Sequence, residues 1–183
     1  MSARLRTALL AALLLAAGGA AAQQHEPANG VLLVAKPELE DPNFGRSVVL
    51  VTQARDGQTL GVILNKPTPA RHEGRPLWFG GPVMIRSVVA LFAAQAPPPA
   101  AAFHVLKNVY LSMHPQNLAA LLAAREARFR LYAGFSAWAP GQLEAEFGRD
   151  AWHVLPADEE LLFREDMSGL WDELMAKAAT PKT

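Results

Sequence analysis

Between Ser47 and Asn65 the chain reads SVVLVTQARDGQTLGVILN. Two apolar runs rich in β-branched residues, SVVLVT (47–52) and TLGVILN (59–65), flank Asp56-Gly57. That dipeptide accepts the positive φ angles of a tight two-residue turn. The segment therefore predicts an antiparallel hairpin, and any fold for this chain must be built around it. GVLLVA (30–35) is another apolar run, stopped by Pro37, and predicts a strand before the hairpin.

Further strands are expected at SVVALFA (87–93), at FHVL (103–106) paired with VYLS (109–112), at FRLYAGF (129–135) and at AWHVL (151–155). In 129–135 Phe129, Leu131, Ala133 and Phe135 share one face and Arg130 and Tyr132 the other, the alternation of a half-exposed strand. Residues 67–87, punctuated by Pro and Gly, read as a loop, and AQAPPPAAA (94–102) as a surface turn. One helix should follow Ser112 as cap and Pro115 in its first turn, with Leu118, Leu121, Leu122 and Arg125 at helical spacing. A short helix should start at Pro140, pinned by Leu143 and Phe147 and ended by Gly148, and a last one should cover 168–177. About seven or eight strands and three helices without regular β-α-β alternation predict a single α+β domain with a mainly antiparallel sheet.

The N-terminus is a separate object. Arg4 and Arg6 precede the uncharged stretch ALLAALLLAA (8–17), and Ala20 and Ala22 form an A-x-A cleavage pattern. These are the three parts of a secretory signal peptide, and the stretch is too short to span a bilayer at ~20 residues. The expected organisation is a signal peptide over 1–22 cut after Ala22, a polar lead over 23–29, a domain over 30–178 and a polar tail over 179–183. The mature protein is expected in the periplasm or outside the cell, with no transmembrane segment after cleavage. The formal net charge is zero, and removing Arg4 and Arg6 makes it −2. Neither value draws the protein to nucleic acid, and no helix-turn-helix pattern is present. There is no cysteine, which excludes disulfides, thiol catalysis and thiolate metal sites.

Other chemistry is sparse. The histidines (25, 72, 104, 114, 153) form no HxH or HExxH pair, so neither a metal nor a cofactor is expected. Gly80-Gly81 in WFGGPV can make a sharp bend or offer N–H groups to an anion. Ser136 in GFSAW sits where a strand should meet a helix, the place of a hydrolase nucleophile, but Trp138 stands where such an elbow needs a small residue. The alternative is a turn residue or helix cap, with Gly134 permitting the turn. In ELEDPNFGRSV (38–48) Asp41 and Asn43 can close a Pro-containing turn. Arg46 and Asn65, at neighbouring ends of the hairpin, can meet on one rim. That rim is either a binding surface or plain structure, with Asp41 and Arg46 ion-paired and Asn65 capping the strand end.

Taken together, GVLLVAKPELEDPNFGRSVVLV, LGVILNKP, FGGPV, YAGFSAWAPGQLEAEF and WHVLPADEELLF resemble the YqgE/AlgH family of bacterial proteins over residues 30–175. The resemblance implies one compact α+β domain with a largely antiparallel, partly barrel-like sheet and no established enzymatic activity or cofactor. Some members carry a label as transcriptional regulators of exopolysaccharide (alginate) production. The family's characteristic positions here are Pro37, Asp41, Phe44, Arg46, Ser47, Asn65, Pro67, Gly80, Gly81, Pro82, Gly134, Trp138, Gly141, Gln142, Leu143 and Glu144. Lys66 stands where the family usually has Arg, and Ala137 where it has Gly. The signal peptide is the larger departure, since an exported member cannot meet chromosomal DNA.

The expected function is a non-catalytic binding or interaction module for a small molecule or protein. Its candidate rim is Arg46, Asn65, Gly80, Gly81, Trp138, Gln142 and Glu144, and its structural motif is Asp41, Asn43, Pro67, Gly134 and Gly141. The alternatives are the regulator of the family label and a serine hydrolase using Ser136.

Overall fold

The computed structural model describes residues 29–54 and 57–180. The expected signal peptide with its cleavage point, the lead up to residue 28, Asp56 of the hairpin turn and residues 181–183 of the tail lie outside the described residues. The elements run β1 (Val31–Ala35), β2 (Val48–Gln53), β3 (Thr59–Ile63), β4 (Pro67–His72), β5 (Arg75–Phe79), β6 (Val83–Ala93), β7 (Phe103–Leu106), β8 (Val109–Ser112), α1 (Pro115–Ala123), β9 (Phe129–Trp138), α2 (Gln142–Gly148), β10 (Trp152–Pro156), α3 (Glu159–Phe163) and α4 (Leu170–Ala179). They form a single α+β domain.

The β2–β3 hairpin forms as its sequence requires, with Val49 opposite Ile63 and Gln53 opposite Thr59, and Gly57 at φ +83° in the turn. From it the sheet extends in the order β10-β1-β2-β3-β9-β6-β8-β7. The order does not close into a barrel, although the sheet curls. Gly30 N–H donates to Val105 O at 2.8 Å, drawing β7 toward the start of β1. The concave face buries Leu32, Val34, Leu50 and Val62 with Val105, Leu111 and Tyr132, and α3 and α4 cover it with Leu162, Leu170, Trp171 and Leu174. On the opposite face α2 and residues 39–44 cover Leu33, Val49, Ile63 and Trp138. There, too, α1 covers Ala90, Phe92, Tyr110 and Leu131. Each fully buried Leu or Val contributes roughly 1.5–3 kcal/mol, against about 0–1 for an exposed ion pair. In a chain without cysteine, these three clusters hold the fold.

Residues 67–87 are not a loop. They form the β4–β5 hairpin and the first half of β6. Its turn is Glu73-Gly74, with both φ values positive (+47° and +76°), which is I′ geometry without the usual Asn or Asp. Prolines 67, 69 and 76 lie within the strands, and β4 pairs only with β5, leaving it the edge position that tolerates proline.

The strand at 129–135 is neither half-exposed nor ended by a turn at Gly134. β9 continues to Trp138 as the central strand, and Tyr132 is 0 % exposed. It pairs with β3 and β5 along one edge and with β6 along the other. Phe79 lies beside Ala133 on one edge and Val83 beside Phe135 on the other. Residues 80–82 therefore step over β9, and they do so at Gly134. A Cβ on Gly134 would lie 2.5 Å from Gly81 O and 2.9 Å from Ile85 Cα, and one on Gly81 would lie 2.4 Å from Phe135 C and O. Gly134 (φ +68°) is a kink within a strand, opposite a register break between Val83 and Val88.

Helix boundaries also differ from expectation. The cap of α1 is His114, whose Nδ1 accepts from Gln116 N–H at 3.2 Å. Ser112 instead donates to Ala101 O, and Arg125 lies beyond the helix end. Phe147 is 40 % exposed, so Leu143 alone of that pair anchors α2. The last helix spans 170–179 rather than 168–177. The unexpected fourth helix, α3, starts at Asp158, whose carboxylate accepts from Leu161 N–H at 2.8 Å.

Gly81→Ala and Gly134→Ala should each lower the stability measured by urea denaturation by about 3 kcal/mol or more, since backbone on either side must move. Gly148→Ala, in a helix with nothing within 4 Å of the added Cβ, should leave it unchanged or raise it by up to about 1 kcal/mol.

Candidate functional site

The turn preceding β2 organises the predicted rim. Asp41 Oδ1 accepts from Asn43 N–H at 2.8 Å and Phe44 N–H at 2.9 Å, closing the turn as an Asx motif. It does not pair with Arg46. The Arg46 guanidinium lies 4.0 Å from the Trp171 ring centroid, and its Nη2 donates to Asp172 at 3.0 and 3.2 Å. Asn65 does meet Arg46, through the main chain: its Nδ2 donates to Arg46 O at 3.0 Å while its Oδ1 accepts from Val48 N–H at 2.9 Å. Asn65 is thus the strand-end clasp of the structural alternative. The Lys66 ammonium donates to Asn43 O. Burial lowers its pKa, and the nearby Asp41 carboxylate partly offsets this. Pro67 opens β4.

The turn's other side points into the second apolar cluster. Phe44 packs 5.8 Å from Trp138 and 5.9 Å from Trp152, and the two indoles lie 6.4 Å apart, edge to face. Trp138 is 2 % exposed and cannot face a groove. Both indole N–H groups donate to one oxygen of Glu146, at 3.0 Å from Trp138 and 2.9 Å from Trp152. Gln142 donates to the other oxygen at 3.1 Å and accepts from Ala139 N–H at 3.2 Å. Gly141, at φ +79°, starts the helix that carries both side chains, and Glu144 on the same helix is exposed. Glu146 was not among the predicted residues. Its signal is the i, i+4 spacing to Gln142 in QLEAEF, and its indole partners are apparent only in three dimensions.

Gly80 and Gly81 lie apart from the Arg46 turn, at the step over β9. Gly80 N–H donates to Ala133 O, and Gly80 O accepts from Ile63 N–H and, at 3.1 Å, from the Ser136 hydroxyl. Ser136 is 0 % exposed in mid-strand, neither a turn residue nor a helix cap. Its hydroxyl proton is directed at a carbonyl, whereas a nucleophile needs a base there. Among the described residues, no three His, Asp or Glu side chains converge as metal ligands, and no helix is long and apolar enough to cross a membrane.

A family model described as AlgH-like matches residues 32–182. The chain belongs to the AlgH-like family. Its relatives include a UPF0301 protein of Thermobifida fusca, 35% identical over 81% of this chain and 85% of that protein. A UPF0301 protein of Mycobacteroides abscessus is 31% identical over 86% and 83% respectively. The fold matches a crystal structure of a Corynebacterium diphtheriae protein with a TM-score of 0.68 and 26% identity, covering 86% of this chain and 89% of that one. It also matches the solution structure of the AlgH protein of Pseudomonas aeruginosa, again with a TM-score of 0.68, at 24% identity over 83% and 89%. In this AlgH-like chain two places gather the residues described above: a strand crossing (Gly80, Gly81, Gly134, with Ser136 beside it) and a clasped turn (Asp41, Phe44, Arg46, Asn65) backed by the Glu146 knot.

Glu146→Ala leaves two indole donors without an acceptor and should cost about 2–3 kcal/mol in denaturant unfolding. Glu146→Gln, whose single amide oxygen can still accept from both indoles, should cost clearly less. Equal losses in the two variants would show that the ionised carboxylate, and not the bulk of the side chain or a neutral acceptor, is what matters.

Proposed function

We propose that this protein is an exported, non-catalytic interaction module that engages its partner through the Arg46 shelf. Arg46 itself is the observation that carries the reading. It is a non-glycine residue at φ +53°, a conformation that costs on the order of 1–3 kcal/mol. Its ion pair with Asp172 is about two-thirds exposed on both sides (65% and 64%), worth about 0–1 kcal/mol, with a comparable gain from the indole beneath. These terms roughly cancel, so the turn places a rigid, solvent-facing guanidinium without a clear return in stability. Strain held at an exposed cation is how binding residues are commonly presented. By contrast, Asn65, Gln142, Trp138 and Ser136 bond internally. A buried Ser136 bonded to a carbonyl counts against the hydrolase reading.

Arg46→Gly relieves the strain and removes the guanidinium. It should leave the urea midpoint unchanged or higher. A photoreactive residue at the exposed Pro42 should give a discrete adduct in cells, identified by mass spectrometry and lost in Arg46→Gly. No adduct, or one indifferent to Arg46→Gly, would overturn the proposal. Export is checked by fractionation with N-terminal sequencing, which should find the mature chain outside the cytoplasm beginning at Gln23. A cytoplasmic chain with its N-terminus intact would restore the regulator reading drawn from the family label. A fluorophosphonate probe should leave the protein unlabelled; labelling abolished by Ser136→Ala would replace the interaction reading with the hydrolase.

A further inference from the structure

The tip of the β4–β5 hairpin and helix α1 enclose an open groove of about 470 Å³. Its two walls differ in chemistry. The helix, PQNLAALLA, has no charged side chain at any position. Asn117 and Leu121 face inward: Leu121 packs on the sheet, and Asn117 donates to Ala100 O, Ala101 O and Ser112 Oγ, tying down the 94–102 turn. Leu118 and Leu122 remain half-buried on the groove wall, with Ala119 exposed beside them. A surface helix of this size normally carries charge on its outer face, and this one does not.

The hairpin wall supplies the charge. His72, Glu73 and Arg75 line it, and Arg71 sits at the same tip, its Nη1 donating to Gly74 O at 2.6 Å. Arg75 lies 5.3 Å from the Phe129 ring centroid. Among the described residues neither Arg71 nor Arg75 has a carboxylate partner, whereas Arg46, Arg128 and Arg164 each have one. Two arginines against one glutamate leave this wall net positive above an uncharged aliphatic one. Strand addition along the outer edge of β4 is impeded, because Pro67 and Pro69 have no N–H to donate and Ala70 N–H is already bonded to Thr68 Oγ1 at 3.1 Å. A partner here must therefore be held by side chains.

We propose that this groove binds a segment of a partner protein in which acidic and aliphatic side chains alternate. The aliphatic set would lie against Leu118, Ala119 and Leu122, and the carboxylates would take the free donors of Arg75 and Arg71. An aliphatic wall rewards apolar burial, and an unpaired guanidinium beside it selects an anionic group by charge-assisted, fork-like bonding. This site is separate from the Arg46 shelf, and either can fail without the other.

The test is fluorescence anisotropy of a short labelled peptide of alternating Glu and Leu, titrated with the full chain, beside its Lys–Leu counterpart. The acidic peptide should bind saturably, weaken as salt rises, and lose about tenfold or more in affinity in Arg75→Glu, where a favourable charge contact becomes repulsive. Arg46→Gly should not affect it. Leu118→Asp should also weaken it. If that variant unfolds by circular dichroism, Arg75→Glu at the exposed tip still decides. Absence of saturable binding, equal binding of the Lys–Leu peptide, or an affinity within about twofold in Arg75→Glu would overturn the proposal. So would a concentration-dependent dimer in sedimentation velocity that Leu118→Asp abolishes, since the groove would then serve a second copy of the chain.

Discussion

The fold depends on one close approach of backbone to backbone, where Gly80 and Gly81 step over Gly134. A strand in mid-sheet normally has neighbours that stay on their own side. Here the chain leaves β5 on one edge of β9 and reappears as β6 on the other within a few residues. A backbone carbonyl oxygen lies within 2.5 Å of the missing Cβ of each of the three glycines. Because the crossing holds, β9 can serve β3 and β5 on one edge and β6 on the other, and it thereby joins the N-terminal strands to the β6–β8 half. Ser136 sits buried beside this step. Its hydroxyl secures Gly80 O, a structural task that uses the very atom a hydrolase would need.

The second organising element is the turn at 41–46, which faces two cores at once. Phe44 goes into the tryptophan cluster beneath α2, while Arg46 lies over Trp171 on α4. Asn65 and Lys66, leaving β3, fasten the turn from below. Apolar burial on either side is worth several kcal/mol and fixes where the turn sits; the exposed ion pair contributes too little to do so. That division of labour leaves the Arg46 guanidinium positioned by the fold and available to solvent.

Parts of this were legible in the sequence and parts were not, for identifiable reasons. The β2–β3 hairpin, β1, β7–β8 and β10 follow from apolar runs bounded by strong turn residues. The β4–β5 hairpin did not, because its prolines (two of them on the outer-edge strand β4) and its Glu73-Gly74 turn depart from the usual hairpin chemistry. In β9 the polar Arg130 and Tyr132 alternate with apolar residues, a pattern that predicts a half-exposed strand. Tyr132 is in fact fully buried, and burial pushes its phenol well above the ordinary range. In the candidate rim, Arg46 and Asn65 came together as their hairpin ends required. Trp138 and Gln142 proved to serve Glu146, and Glu144 is simply exposed. Which of two neighbouring glutamates on a short helix meets an indole depends on a few tens of degrees of helix rotation, which no spacing rule supplies.

By itself, then, the sequence determined the family, the α+β class, the central hairpin and the absence of thiol chemistry, because these rest on composition, local turn preference and the joint spacing of motifs. The tertiary structure alone decided which glycines are crossings rather than turns, which polar residues are consumed internally, and which cations remain free. Those outcomes depend on contacts between segments far apart in the chain, such as Ser136 with Gly80 and Arg46 with Asp172. Local sequence carries no information about the distance between such groups until the sheet has brought them together.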